Sequence, residues 1–189
     1  VTKPMVRIKE NYFDTYVPEE EHGFSKYIIA KHIERLNNVV ELRIFGIFGK
    51  YEDYSIRFIS NAICKVLFDL PITIRQNRKF DYLYIDDLMP VIDYFINHDS
   101  IYKAYNVTPD ESMELGTLAE RIKNISGEDI PIIIKEKTKG NEYSGDNSRL
   151  TDEIKSFKFT PIDLAIEKLY KWYVENKSLI NKQLLLTDK

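Results

Sequence analysis

The stretch Val39-Val40-Glu41-Leu42-Arg43-Ile44-Phe45-Gly46 decides the fold. Its apolar residues run almost without interruption and stop at a glycine, the pattern of a strand buried on both faces. Just before it, residues 22–36 place Ile29, Ile33 and Leu36 on one helical side, and Asn37-Asn38 closes the run. A helix followed by such a strand is half of a β-α-β unit, so an α/β fold with a parallel sheet is expected. Pro18-Glu19-Glu20-Glu21 lies ahead of the helix, where negative charge complements the positive end of the helix dipole. Residues 1–17 show no clear period.

Downstream, 50–55 reads as a polar loop, 57–68 as a helix, 71–74 as a short strand and 80–85 as a second extended run. Asp86-Asp87 are placed to cap a helix reaching 97. Tyr105-Asn106-Val107 reads as a short strand. Leu115, Leu118, Ala119, Ile122 and Ile125 follow helical spacing, with Gly127 at the C-terminal glycine position. Residues 130–134 form a strand whose Pro131 suits a sheet edge, and 138–148 reads as a polar loop. Thr160-Pro161 reads as a cap and first-turn proline, opening a helix with Ile162, Ala165, Ile166, Leu169 and Tyr173 on its apolar face. Residues 181–189 read as a frayed tail.

At 189 residues the chain is about one domain. Its 27 basic and 30 acidic side chains leave a net charge of −3, which argues against a general nucleic-acid binder or a basic membrane-surface protein. One cysteine, Cys64, excludes an intramolecular disulfide framework and a multi-cysteine zinc site, and reads as a small buried hydrophobe. No apolar run reaches the roughly 18 residues of a membrane span, and no secretory signal pattern opens the chain, so a cytoplasmic protein is expected. The 7 glycines are few, against about 13 at average usage of roughly 7%, and none form a phosphate-binding glycine turn.

The chemistry concentrates in Glu21-His22-Gly23-Phe24-Ser25-Lys26-Tyr27. This segment resembles the active-site helix of the NAD-dependent epimerase/dehydratase family, the extended short-chain dehydrogenases/reductases that modify sugar nucleotides, where the pattern is Tyr-Gly-x-Ser-Lys. The resemblance continues in register. Leu42-Arg43-Ile44-Phe45-Gly46-Ile47-Phe48-Gly49 is similar to the family's Leu-Arg-x-Phe-Asn-x-Tyr-Gly. Asp81-Tyr82-Leu83-Tyr84-Ile85-Asp86-Asp87-Leu88 is similar to its Arg-Asp-Phe-x-x-Val-Asp-Asp. Tyr105-Asn106-Val107 and Thr160-Pro161 with Lys171-Trp172-Tyr173 also match.

The resemblance implies the C-terminal part of a Rossmann-type parallel sheet plus a small α/β substrate-binding lobe. Residues 1–50 would end the nucleotide-binding domain and carry the active-site helix; 51–189 would be mainly the lobe, with 81–108 returning to the sheet. The glycine-rich dinucleotide fingerprint and the catalytic Ser/Thr of the family would lie upstream of Val1. NAD or NADP is the implied cofactor, a nucleotide-sugar the implied substrate, and a homodimer the implied assembly.

In the family pattern, a tyrosine four residues before a lysine shares its helix face. The ammonium stabilises phenolate, which takes a sugar-hydroxyl proton while hydride leaves for nicotinamide. Here His22 stands at the tyrosine position. Its imidazole accepts protons nearer pH 7, but it is shorter than a phenol, and lost proximity costs about 10²-fold. Lys26 pushes it toward neutrality, while Glu21 pulls the other way. By resemblance, His22 and Lys26 are the catalytic pair; Lys26, Phe45 and Gly46 adjoin the cofactor; Gly46, Arg78, Lys79, Phe80 and Asp81 adjoin the substrate. Gly46 stands where the family often has a substrate-binding Asn, and Phe80 where an Arg often clamps the diphosphate; Arg78 and Lys79 are the substitute cations, or a solvated turn.

Other features have plainer readings. A second pair, Tyr27 and Lys31, lies five residues on, turned about 140° around the helix. His32 and His98 read as surface residues. Asp146, Ser148 and Arg149 occupy a loop that approaches substrate in the family, although loop polarity alone explains them. Two rival functions stay open. One is a catalytically inactive relative that binds a sugar-nucleotide or a partner; the other is a stand-alone domain with an unrelated binding role.

Overall fold

The computed structural model describes residues 5–187. β1 (Met5–Ile8) leads through a 3-10 turn to α1 (Glu21–Ile33), β2 (Glu41–Ile44), β3 (Ile47–Phe48) and α2 (Phe58–Leu67). Next come β4 (Ile72–Gln76), β5 (Lys79–Phe80), β6 (Leu83–Tyr84), α3 (Ile85–Asn97), β7 (Ala104–Val107), β8 (Met113–Glu114) and α4 (Leu115–Ser126). The chain finishes with β9 (Ile132–Glu136), β10 (Tyr143–Gly145), α5 (Ser148–Glu153), α6 (Ile162–Glu175) and two 3-10 turns.

The expected parallel pairing is present. β2 pairs with β7 in register from Glu41–Ala104 to Ile44–Val107. β3 pairs with β6, and β4 with β9, also in parallel. A four-stranded sheet has the order β1-β10-β5-β8, with only β8 antiparallel. The strand within the apolar stretch is shorter than 39–46, because the chain changes partners at its end. The Gly46 carbonyl accepts from the Leu83 N–H at 2.8 Å, which starts the β3–β6 pair.

The larger core lies among α2, α4, α6 and β4, built on Ile59, Ile63, Ile72, Leu118, Ile122, Ile166 and Leu169. A second cluster of Leu83, Leu88, Val91, Tyr105, Val107 and Leu150 packs between α3, α5 and β7. Cys64 is fully buried in the larger core, and burial pushes its thiol up to about 12, so it is an inert hydrophobe there. Gly127 adopts the left-handed conformation (φ 74°) that ends α4.

Several expectations are corrected. Asp86 and Asp87 do not cap α3: the helix begins at Ile85, and the Asp87 carboxylate accepts Thr160 N (2.9 Å) and Thr160 Oγ1 (2.6 Å). Thr160 therefore serves Asp87 rather than capping α6, whose N-cap is Pro161. The run at 80–85 breaks at Asp81-Tyr82 because its two ends join different sheets. The expected loop at 138–148 holds β10, which lies between β1 and β5; its polar residues give no apolar alternation, and its place comes from backbone pairing. The expected frayed tail is docked as far as it is described: Leu185 is 2% exposed and belongs to the larger core. Residues 188–189 lie outside the described residues.

A buried polar hub joins the sheets. Asp81 is 3% exposed, and its Oδ2 accepts both Thr108 Oγ1 (2.5 Å) and Gly145 N (2.7 Å). Asn106, in β7, donates its N–H to Glu10 Oε1 (2.8 Å) and its Nδ2 to the carbonyls of Ile8 (2.8 Å) and Asp146 (3.0 Å). Asn147 Nδ2 reaches Thr108 O at 2.9 Å and Asp110 Oδ1 at 2.8 Å. Gly145 must be glycine here, since a Cβ would lie 2.6 Å from the Phe45 ring.

Leu185→Ala should lower the unfolding free energy in urea by about 2–4 kcal/mol, as for other buried leucines; a change below about 0.5 kcal/mol would mean that the tail is undocked. Asp81→Ala orphans a buried N–H and a buried hydroxyl and should cost about 2–4 kcal/mol. Asp81→Asn, whose single carbonyl oxygen can accept both bonds, should cost less. Burial raises the Asp81 carboxyl above its ordinary value of 3.8, so the folded state favours its protonated form. Its contribution is therefore complete below 3.8 and declines as pH rises through the raised value. Urea unfolding across that range should show this decline in the parent protein and lose it in Asp81→Asn.

Candidate functional site

At the carboxyl end of β2, the chain turns through Phe45 and Gly46 into a cavity of about 360 Å³. Aromatic rings dominate its wall: Phe45, Phe48, Phe58, Phe80 and Tyr82 all line it. The Phe80–Tyr82 centroids are 6.3 Å apart at 77°, and the Phe48–Tyr82 centroids 6.4 Å apart at 75°, both edge-to-face. Its charged side chains are Glu52, Arg57 and Asp81, and the Asp81 carboxylate is turned to Thr108 and Gly145.

A second cavity, of about 300 Å³, shares the wall formed by Ile56, Phe58, Phe80 and Leu115. Its character is different. Lys65, Arg75, Arg78 and Lys135 line it, with Asn61, Thr73 and Gln76 as neutral hydrogen-bonding groups. Lys65 is 4% exposed and donates to Thr73 Oγ1 at 2.5 Å. Arg75 pairs with Glu136 at 3.0 Å. Arg78 donates to Gln76 Oε1 (2.7 Å), and its guanidinium lies 5.9 Å from the Phe80 ring centroid. The two cavities are an aromatic chamber and a cationic one side by side, with Phe80 on their common wall.

The loop from Gly49 to Arg57 forms one side of the aromatic chamber and is held tightly. A Cβ at Gly49 would lie 2.2 Å from Ile85 Cγ2. Glu52 Oε1 accepts from Ser60 Oγ and, at 3.5 Å, from Gly49 N. Burial raises the Glu52 carboxyl above the usual carboxylate range.

The residues singled out by sequence fall into three groups. Phe45, Gly46, Phe80 and Asp81 share the aromatic chamber, and Arg78 lines the cationic one. Lys79 lies elsewhere: adjacent strand residues point to opposite faces, and its ammonium faces Glu142 at 3.9 Å. At Gly46 a Cβ would stand 2.4 Å from the Asp81 carbonyl oxygen, and its own carbonyl is engaged by Leu83. That close approach explains why no side chain occupies the position. Glu52, Arg57, Phe58, Lys65 and Arg75 were not singled out; they sit on an ordinary loop, a helix and a strand, and only the tertiary fold gathers them.

His22 and Lys26 are exposed on the first turns of α1 and line neither cavity. Neither side chain has a hydrogen-bond or ion-pair partner among the described residues. Glu20 caps this helix through the N–H groups of His22 and Gly23, and a Cβ at Gly23 would collide with that carboxylate. Of α1, only Ala30 is buried, while Phe24, Ile28 and Ile29 are 46%, 50% and 61% exposed. The second Tyr/Lys pair has a separate duty. Tyr27 Oη donates to Asp14 Oδ1, and Lys31 Nζ lies 3.1 Å from Asp14 Oδ2 and 2.9 Å from Glu34. The hydrogen bond to Asp14 raises the Tyr27 phenol, so this pair ties the 10–14 segment to α1 and is a poor base.

No group of His, Cys, Asp and Glu suited to a metal ion occurs among the described residues, and none of their helices is long and apolar enough to cross a membrane.

No curated protein sequence matches the chain. Its structure is similar to a dTDP-glucose 4,6-dehydratase from Bacillus anthracis in complex with NAD (TM-score 0.74, 15% identity, 91% of this chain and 58% of that one). It is also similar to a UDP-glucuronic acid 4-epimerase from Bacillus cereus in complex with UDP-glucuronic acid and NAD (0.73, 17%, 94% and 58%). A GDP-L-fucose synthetase from Naegleria fowleri bound to NADP gives 0.75, 14%, 94% and 63%. The chain thus spans roughly three-fifths of those proteins, and at these identities the likeness is one of Rossmann-type fold. The sequence pattern of one family covers residues 4–108, more than half of the chain. The chain belongs to the NAD dependent epimerase/dehydratase family.

Proposed function

We propose that this chain is the substrate-holding, C-terminal portion of an NAD(P)-dependent epimerase, dehydratase or reductase acting on a nucleotide-activated sugar. One observation carries the reading: the aromatic chamber at the end of β2 and a cationic chamber lie side by side, sharing Ile56, Phe58, Phe80 and Leu115. A nucleotide-sugar has the matching polarity. Its glycosyl ring offers C–H faces to Phe80, Tyr82 and Phe58, and its phosphates meet Arg78, Arg75 and Lys65. The aromatic end adjoins Phe45 and Gly46, so the ring lies in the crevice at the carboxyl ends of the strands. Arg78 takes the anion-binding duty that Phe80 cannot perform.

A nicotinamide cofactor suits the residues present at one end only. The seven glycines form no pyrophosphate cradle, whereas the Lys26 ammonium, which has no partner among the described residues, can take ribose hydroxyls. When bound, the cofactor exchanges hydride with a sugar carbon. The chain supplies the proton handling. In this reading His22 accepts the proton of the sugar hydroxyl, with Lys26 one helical turn on, although both side chains lie outside the two cavities. Phe45 and the Gly46 backbone close the cofactor side. The exposed Phe24, Ile28 and Ile29 on α1 support a homodimer through that helix. Synthesis of surface-polysaccharide precursors in the cytoplasm is the setting that fits this chemistry.

The rival reading, an inactive relative that only binds sugar-nucleotides, is favoured by one fact: nothing among the described residues orients the His22 ring. The full-length gene product separates the two. NADH formation with a bound nucleotide-sugar supports catalysis; its absence in both the parent protein and His22→Tyr, with binding retained, supports the binding module.

The cleft itself is testable on this chain by calorimetry against UDP, dTDP and GDP and their glucose conjugates. Arg78→Ala should weaken the best-bound nucleoside diphosphate about 10-fold, the worth of one charge-assisted hydrogen bond. Equal affinity in both proteins would contradict the placement of the phosphates.

A further inference from the structure

The aromatic chamber contains a carboxylate oxygen with no protein partner. Both hydrogen bonds that Glu52 accepts, from Ser60 Oγ and Gly49 N, end on Oε1. Oε2 has none among the described residues. The two bonds fix the carboxylate, and the loop that carries it is pinned where Gly49 meets Ile85. Around it stand Phe48, Phe58, Phe80 and Tyr82, which offer no competing charge; Arg57 is the cation of this chamber. Burial already disfavours the ionised form, so a donor arriving at Oε2 relieves a cost that the folded protein otherwise bears. A phosphate would meet repulsion at this point, and an apolar group would leave the oxygen unpaired. A sugar ring answers both demands, with C–H faces for the rings and a hydroxyl or amine for the oxygen.

We propose that Glu52 is the specificity-determining residue for the glycosyl group, its Oε2 accepting a hydrogen bond from a ring hydroxyl or amine. This rests on the reading of the cleft given above, and it adds which protein atom distinguishes one sugar from another. Selection works by penalty: a sugar lacking a donor at that position covers Oε2 and displaces its water without pairing it. The nucleoside diphosphate, bound in the cationic chamber, is indifferent to Glu52.

The test is a ratio. Calorimetry gives the affinities of UDP, dTDP and GDP and of their glucose, galactose and 4-amino-4-deoxy sugar conjugates. In the parent protein, the best conjugate should bind at least 10-fold tighter than its own nucleoside diphosphate. Glu52→Ala should reduce that ratio to about 3 or less, with the affinity of the free diphosphate unchanged. Glu52→Gln keeps an acceptor for Ser60 and Gly49, so it guards against loss of the loop; it places an NH₂ at Oε2 and should reject an amino sugar more strongly than a hydroxyl sugar. If the diphosphates bind and the ratio is the same in all three proteins, the role of Glu52 is overturned while the cleft stands. If no diphosphate or conjugate binds the parent protein, both readings fall.

Discussion

The Asp81 carboxylate is the constraint on which the rest depends. It sits at the break between β5 and β6, where the chain leaves one sheet for another. A single oxygen holds the end of β7 through Thr108 and the end of β10 through Gly145. Taking a carboxylate out of water is costly, and these two bonds offset that cost only if three separate segments arrive together. The backbone of the same residue fills the space where a Gly46 side chain would be. One residue thus fixes the turn after β2, the β5–β6 break and the floor of the aromatic chamber.

That arrangement divides the labour in the cleft. The strand break points Phe80 and Tyr82 into the aromatic chamber while Arg78, two residues earlier, lines the cationic one. Under the proposed reading, the diphosphate and the sugar are served by different walls. His22 and Lys26 stand apart on α1, a helix that buries only Ala30. Their exposure and that of Phe24, Ile28 and Ile29 make α1 an open apolar and polar surface, whereas both cavities are lined by packed side chains of the described residues.

Much of the architecture was legible because its signals are local. The helical spacing from Leu115 to Ile125 and the glycine at 127 each depend on backbone and burial within one element; the apolar run before Gly46, interrupted by Glu41 and Arg43, marked a strand, but β2 buries none of its residues and Ile44 is 38% exposed. What was not legible depends on long-range pairing. β10 has no apolar alternation, and only β1 and β5 on either side make it a strand. Asp87 looked like a cap because Asp is a good N-cap, but Thr160, 73 positions away, takes its oxygens. Leu185 lies in a stretch without period, and only the surface of the larger core explains its burial. Of the residues that line the two cavities, the family resemblance named Phe45, Gly46, Arg78, Phe80 and Asp81, which lie on strands or at their ends. It passed over Glu52 and Lys65, which a loop and a helix bring to the cavity walls.

A crystal structure of this chain with its best-bound nucleotide-sugar tests the account most directly. The account predicts the phosphates beside Arg78 and Lys65, the glycosyl ring across Phe80 and Tyr82, and one ring donor within hydrogen-bond distance of Glu52 Oε2. A ligand lodged instead in the separate cavity among Glu10, Arg43, Tyr102 and Arg149 would contradict it.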